Sequence, residues 1–292
     1  MLTVGSSFAV LGASGFIGGA LAQAIEERQQ ECSRFTRSLP FIVDGELAPA
    51  LQTADVVFWL VSSIRPATST KPGTASQDQH ALEQLLDLLD RRRSPAPRVL
   101  VVSSGGTVYN TDAPPPYTES SPTRGANEYG QAMLAVEELV RERCADHIVL
   151  RASNVYGPGQ RIRRGQGVVA HWLDAVLRQE PIRVMGDPSI RRDYVYIDDV
   201  VDALLAAAVA DQAPRIVNVG SGHGTSLGEL LDLLVEIIGP DVDIERSPAR
   251  TFDAPSTWLD VNLAREALGW KATTSLEEGL RRSWQAASAA FS

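Results

Sequence analysis

The sequence predicts an α/β fold, a doubly wound parallel sheet carrying a smaller C-terminal substrate-binding lobe. Three observations carry this. Short apolar runs alternate with longer helical patterns, a glycine-rich turn joins the first run to the first helix, and beyond residue 154 the texture changes to loops rich in Gly, Pro and Arg. Such alternation places strands edge to edge with helices covering both faces.

The elements follow in order. "SFAVLG" (7–12) is the first strand and "GGALAQAIEERQ" (18–29) the first helix; "ADVVFWLV" (54–61) and "DQHALEQLLDLLDRRR" (78–93) repeat the pair. Arg91, Arg92 and Arg93 read as a solvated helix end favoured by the macrodipole. "PRVLVVSS" (97–104), "EYGQAMLAVEELVRER" (128–143) and "HIVLRASN" (147–154) continue the alternation. After "VYGPGQRIRRGQGVV" (155–169) come a helix, "EPIRVMGDPS" (180–189), "RRDYVYIDDVVDALLAAAV" (191–209), a strand "RIVNVG" (215–220) and a last helical region. Residues 1–154, with a return segment 193–220, are assigned to a dinucleotide-binding domain, and 155–192 with 221–292 to the lobe.

Composition excludes several function classes. No stretch approaches the roughly 20 apolar residues needed to span a bilayer, and the glycine-interrupted amino terminus reads as a strand rather than a signal peptide, so a cytoplasmic location is expected. Cys32 and Cys144 stand in no metal-ligand spacing; neither a disulfide framework nor a metal site is expected. A net charge of -9 disfavours nucleic acid. An anionic ligand must then be held by local arginines and backbone N–H groups.

The first motif is Gly12-Ala13-Ser14-Gly15-Phe16-Ile17-Gly18, placed between strand and helix. Glycines there permit a tight turn and close approach of backbone to a pyrophosphate at the positive end of the helix. An acidic residue about 20 positions on would bond the ribose of NAD. The region reads "CSRFTRS" instead, with Thr36 near that position and Arg37 beside it, and a guanidinium suits a 2′-phosphate. NADP(H) is favoured, with NAD left open.

Taken with "VVSSGGTVY" (101–109), Tyr129, "LRASNVYGPGQ" (150–160) and "RRDYVYIDDVVDAL" (191–204), this motif resembles the extended short-chain dehydrogenase/reductase family, and within it the nucleotide-sugar epimerases, dehydratases and 4-ketoreductases. The resemblance spans nearly the whole chain and implies a Rossmann sheet. It implies that Gly12, Gly15 and Gly18 meet the cofactor pyrophosphate and that Tyr129 transfers a proton. It implies further that Arg192 and Arg250 hold the diphosphate of a UDP- or dTDP-hexose, that Asn154 lies near that diphosphate, and that "QGVV" (166–169), which contains Val168, and "IRVMGD" (182–187) flank the base. A homodimer through two sheet-domain helices is also implied.

Two positions depart from the family pattern. Gly105 stands where relatives carry Ser or Thr, leaving Ser104 or Thr107 to supply the hydroxyl, and Met133 replaces the lysine one turn after Tyr129. Bringing a phenol from pKa about 10 to about 7 requires roughly 4 kcal/mol of preferential phenolate stabilisation. A thioether cannot supply it. Oxidising a sugar hydroxyl needs a base, whereas reducing a ketone needs an acid, and neutral tyrosine already carries its proton. The expected activity is reduction of a 4-keto-hexose on a nucleoside diphosphate, the alternatives being a 4-epimerase with retained NAD and a catalytically silent binding protein. Against these stands a plainer reading, in which Met133, Val136 and Val140 form a core stripe and Tyr129 is a packed tyrosine. His80, His147, His171 and His223 are expected to be structural.

Overall fold

The computed structural model describes residues 6–64, 74–162, 167–248 and 256–291. Six parallel strands form the central sheet, in the spatial order 216–219, 147–152, 98–104, 56–59, 7–11, 31–35. Successive side chains of a strand face opposite sides. Phe8 and Val10 accordingly join a core on one face with Leu21 and Ile25 of helix α1 (Phe16–Glu27), while Ala9 and Leu11 join the other. That second face is covered by α2 (Thr74–Arg91) and α3 (Glu128–Arg143), through Leu82, Leu85, Val136 and Val140.

After 31–35 the chain does not add a further parallel strand. It makes a small hairpin, Ile42–Val43 with Glu46–Leu47, whose turn residues Asp44 and Gly45 both take positive φ (52° and 81°), a turn geometry that matches strand twist. The sheet therefore ends at 31–35 on that side.

The smaller core gathers Trp172 and Leu173 of α4 (Val168–Leu177), Ile182, Val184 and three tyrosines, Tyr156, Tyr194 and Tyr196. Between them the chain returns to the sheet through α5 (Ile197–Val209), which packs beside α1. Leu230 and Leu234 of α6 (Leu227–Ile238) complete the small core with Leu280 of α8 (Leu276–Phe291). Helix α7 (Asn262–Leu268) behaves differently from expectation. Its Ala264 and the following Trp270 pack into the sheet core, and the Trp270 indole N–H donates to the Asp199 carbonyl at 2.9 Å. Thr273 and Thr274 add donors to the Asp199 carboxylate. This stretch, expected with the lobe, thus binds to α5 instead. No helix among the described residues is long and apolar enough to cross a membrane.

Candidate active site

The glycine turn is built by close backbone approach. Gly12 has φ +90°, and a Cβ there would lie 2.5 Å from the Leu60 carbonyl oxygen. A Cβ on Gly18 would come within 2.3 Å of the Gly12 oxygen. Neither position admits another residue without moving a strand tip or helix. The amides of Gly12 and Ala13 both donate to the Phe35 carbonyl at 3.0 Å, tying the turn to the neighbouring strand. Gly15 caps α1 without a side-chain hydrogen bond, and no acidic residue occupies the first turn. The positive helix end is left for an external anion. Ala13 through Ala20, including Ser14, Phe16 and Ile17, line a continuous cleft of about 1280 Å³. The turn sits where the strand order reverses, between 31–35 and 56–59, the usual ligand crevice of such sheets.

At the tip of the second strand, Thr36 is engaged locally: its hydroxyl meets Ser38 Oγ at 3.0 Å and accepts from the Leu39 amide at 3.2 Å. Thr36 and Arg37 stand outside the cleft wall, with Arg37 exposed. The guanidinium on the wall is Arg34, held bidentately by Glu26 at 2.7 and 2.6 Å. Both partners are well exposed, so the pair contributes about 1 kcal/mol or less.

The strand Arg98–Ser104 delivers Ser103 and Ser104 to the cleft, and α3 delivers Tyr129 and Met133. Asn127 starts α3, its Oδ1 accepting the Gly130 amide at 2.9 Å. Gly130, not singled out from the sequence, closes this packing. A Cβ there would stand 2.3 Å from the Thr107 carbonyl oxygen, so its absence lets the helix start press against the 105–109 loop. The half-buried Tyr129 phenol shares the cleft wall with Ser104, and burial pushes it up to about 12 while Ser104 opposes the rise.

Of the two expected hydroxyls, Ser104 shares the cleft wall with Tyr129. Thr107 is corrected: its Oγ1 is buried without a hydrogen-bond partner and the residue lies off the cleft wall. Met133 is buried, as the core-stripe reading expects, yet it also lines the cleft. It packs in a cluster with Ile64, Val108, Tyr109, Tyr117, Ala132 and Leu259.

A further turn along the Tyr129–Met133 face stands Glu137, buried and paired with Arg151 at 2.6 Å. Ser103 Oγ donates to the same carboxylate, and the Arg151 guanidinium lies 5.0 Å from the centre of the Tyr109 ring. The spacing of 129, 133 and 137 was the available signal for this pair.

In the lobe, the Asn154 side chain lines the cleft and donates to the Asp193 carbonyl at 3.0 Å. Val168, first residue of α4, and the half-buried Arg192 share the wall, with Arg192 Nη1 donating to the Arg191 carbonyl at 2.9 Å. Arg250 lies outside the described residues. Arg161, His171 and Arg183 also line the cleft; Arg183 belongs to the segment 182–187 expected to flank the base, while Arg161 and His171 were not singled out for the site. Beneath Arg192 the buried Asp193 carboxylate accepts from Ser153, Ser221, Gly222 and Leu259. Burial raises its pKa and these bonds oppose the rise.

Comparison with known proteins agrees with this architecture. The model of the NAD dependent epimerase/dehydratase family matches residues 8–220, and the chain belongs to that family, within the extended short-chain dehydrogenase/reductase group. It is 32% identical to a dTDP-6-deoxy-L-talose 4-dehydrogenase (NAD(P)(+)) of Kitasatospora kifunensis, over 99% of this chain and 98% of the relative. A UDP-glucose 4-epimerase of Mycolicibacterium smegmatis is also 32% identical, over 82% of this chain and 79% of its own. Among solved structures, the UDP-glucose 4-epimerase of Thermotoga maritima with UDP-glucose superposes with a TM-score of 0.83 at 27% identity, covering 96% of this chain and 98% of that one. MoeE5 in complex with UDP-glucose and NAD gives 0.83 at 28%, covering 98% and 100%.

Proposed function

We propose that the chain reduces the 4-keto group of a UDP- or dTDP-linked hexose, with Tyr129 donating the proton. The observation carrying this reading is the cleft wall itself, where Tyr129 stands with Ser104 and the buried Met133 and burial pushes the phenol up to about 12. A phenol pushed up by burial stays protonated at pH 7. A group that stays protonated serves a ketone as acid, and serves poorly as the base that hydroxyl oxidation needs. Dehydration is less well supported, since removing water needs further acid–base groups beside the tyrosine. The carboxylates lining the cleft among the described residues, Asp174, Glu180 and Asp187, all belong to the lobe.

The residues present fit a nicotinamide dinucleotide: a Cβ would fill the cradle at Gly12 and Gly18, and Gly15 leaves the α1 terminus without a side-chain cap. Gly12, Ser14, Gly15, Phe16, Ile17 and Gly18 would hold its pyrophosphate region, and Tyr129 would stand at the nicotinamide end. Bound there, the cofactor supplies hydride. NADP(H) preference rests on the absence of an acid at the second strand tip and on Arg34 and Arg37 near it. Arg192 and Asn154, with Arg250, would hold the sugar-nucleotide diphosphate, and Val168 would flank the base.

A second reading, 4-epimerisation with retained NAD, is favoured by the epimerase relatives. One experiment separates the two: turnover of 4-keto sugar nucleotides with NADPH against interconversion of UDP-hexoses without added cofactor. Tyr129→Phe should slow reduction by about 100-fold or more while ligand binding persists. Full reductase activity in that variant would remove the acid; epimerisation at the greater rate would favour the second reading.

A further inference from the structure

Met133 lies in one apolar cluster with Leu259, a residue from the far end of the chain, and Leu259 also faces Gly105. Residues 256–260 run as a strap between the lobe and the segment around Tyr117. On one side Thr257 exchanges backbone hydrogen bonds with Arg191 and Asp193; on the other, Tyr117 donates to the Trp258 carbonyl at 3.0 Å and accepts from the Asp260 amide at 2.8 Å. The Leu259 amide is fixed by Asp193 Oδ2 at 3.3 Å. Leu259 is 1% exposed and packs in the cluster that holds Met133, with Tyr129 against its edge. Its methyl carbon Cδ1 lies 2.6 Å from where a Cβ on Gly105 would be, and the Arg151 carbonyl oxygen closes the other side at 3.0 Å.

We propose that Leu259 is the positioning residue that assigns the phenol-bonding role to Ser104, by filling the space a side chain at position 105 would need. Gly105 is then required by Leu259 on one side and the Arg151 carbonyl oxygen on the other, not by backbone freedom. Its loop keeps the course that presents Ser104 to Tyr129, since the Gly105 amide donates to the Ala152 carbonyl at 2.8 Å. The same strap is hydrogen-bonded to the strand carrying Arg192, so the lobe's cleft wall and the hydroxyl beneath the phenol share one support. Leu259 acts through Gly105 and Ser104, without touching reactants. The inference rests on the reading of Tyr129 as the proton-transfer group.

The test is a size exchange. Gly105→Ser should collide with the packed leucine and lower kcat for nucleotide-sugar turnover by about 10- to 100-fold, the scale of a small misplacement of a reacting group. KM should change little. Gly105→Ser combined with Leu259→Ala should recover most of that loss, and in this double variant Ser104→Ala should cost much less than in wild type, because a hydroxyl now stands at 105. Wild-type kcat in Gly105→Ser, or an unchanged Ser104→Ala penalty in the double background, overturns the proposal. Thermal melting supplies a readout free of turnover. Gly105→Ala and Leu259→Ala should each lower Tm while the double lowers it by less than their sum, and additive shifts overturn the steric premise. Tyr129→Phe in the same assay keeps the two ideas apart. An inactive Tyr129→Phe beside a fully active Gly105→Ser sinks the Leu259 assignment alone, whereas an active Tyr129→Phe sinks the acid and the assignment built on it.

Discussion

Met133 faces two ways, and that decides what a lysine would do in its place. It lines the cleft beside Tyr129 and also a small cavity that Asp78 lines, where the Asp78 carboxylate accepts the Ser63 amide at 2.6 Å. An ammonium at 133 would enter an apolar cluster but have a carboxylate on the wall of the same cavity. Residues four apart share a helix face, so it would also approach the phenol. Met133→Lys should therefore raise the rate of sugar oxidation by about tenfold, by lowering the phenol pKa, and should lower Tm through the cost of burying charge. Forward and reverse rates measured alongside melting check both parts. A lowered Tm with an unchanged oxidation rate would reduce Met133 to a packing residue. The burial of Met133 was legible, because Met133, Val136 and Val140 form a helical stripe in the sequence. The role of Gly105 was not legible, since the atoms that explain it belong to Leu259 and Arg151.

At the scale of elements, the glycine turn was readable from spacing alone because strand, turn and helix are contiguous. Gly18→Ala tests the packing behind it: with Gly12 oxygen 2.3 Å from the new Cβ, α1 must shift. Dinucleotide affinity should fall at least about tenfold, at a stability cost of about 1–3 kcal/mol, and cofactor titration with a melt measures both. The second strand tip was less readable. Sequence position puts Thr36 and Arg37 forward, whereas strand geometry turns Arg34 to the cleft and leaves Arg37 exposed. Titrating NADPH and NADH into Arg34→Ala and Arg37→Ala should show selective NADPH loss in at least one of them. Equal affinities for both cofactors in the unmodified chain would end the NADP assignment. In the lobe, Arg192→Ala should weaken nucleoside diphosphate binding by about 10- to 200-fold, or 1.5 to 3 kcal/mol, as loss of a charge-assisted bond does; calorimetry on folded protein decides it. The placement of α7 escaped the sequence reading because its attachment to α5 runs through Asp199 and Trp270, 71 positions apart.

Over the whole molecule, acidity reaches the sheet through one histidine. His147 begins the strand His147–Ala152 and is 5% exposed, with Nδ1 2.7 Å from the Cys144 carbonyl, which assigns the proton to that nitrogen in the neutral ring. Burial is the main cause that lowers its pKa below the ordinary 6.5; Arg215 and Arg141 add to the lowering, while the Cys144 bond and Asp146 oppose it. The sign follows from linkage. In the unfolded chain the ring binds a proton near pH 6.5, and in the folded chain only at lower pH, so acid favours unfolding. The contribution is complete above about pH 6.5 and is lost as pH falls toward the folded value, with a slope of at most about 1.4 kcal/mol per pH unit. His147→Asn removes the titration while an amide N–H can still donate to the Cys144 carbonyl. Denaturant unfolding at intervals from about pH 7.5 to 5 should show the unmodified chain losing more stability than the variant over that range. The two curves should run parallel above it, where neither side chain titrates. Identical slopes down to pH 5 would mean that the ring protonates in place, and that the acid sensitivity of this sheet lies in its carboxylates instead.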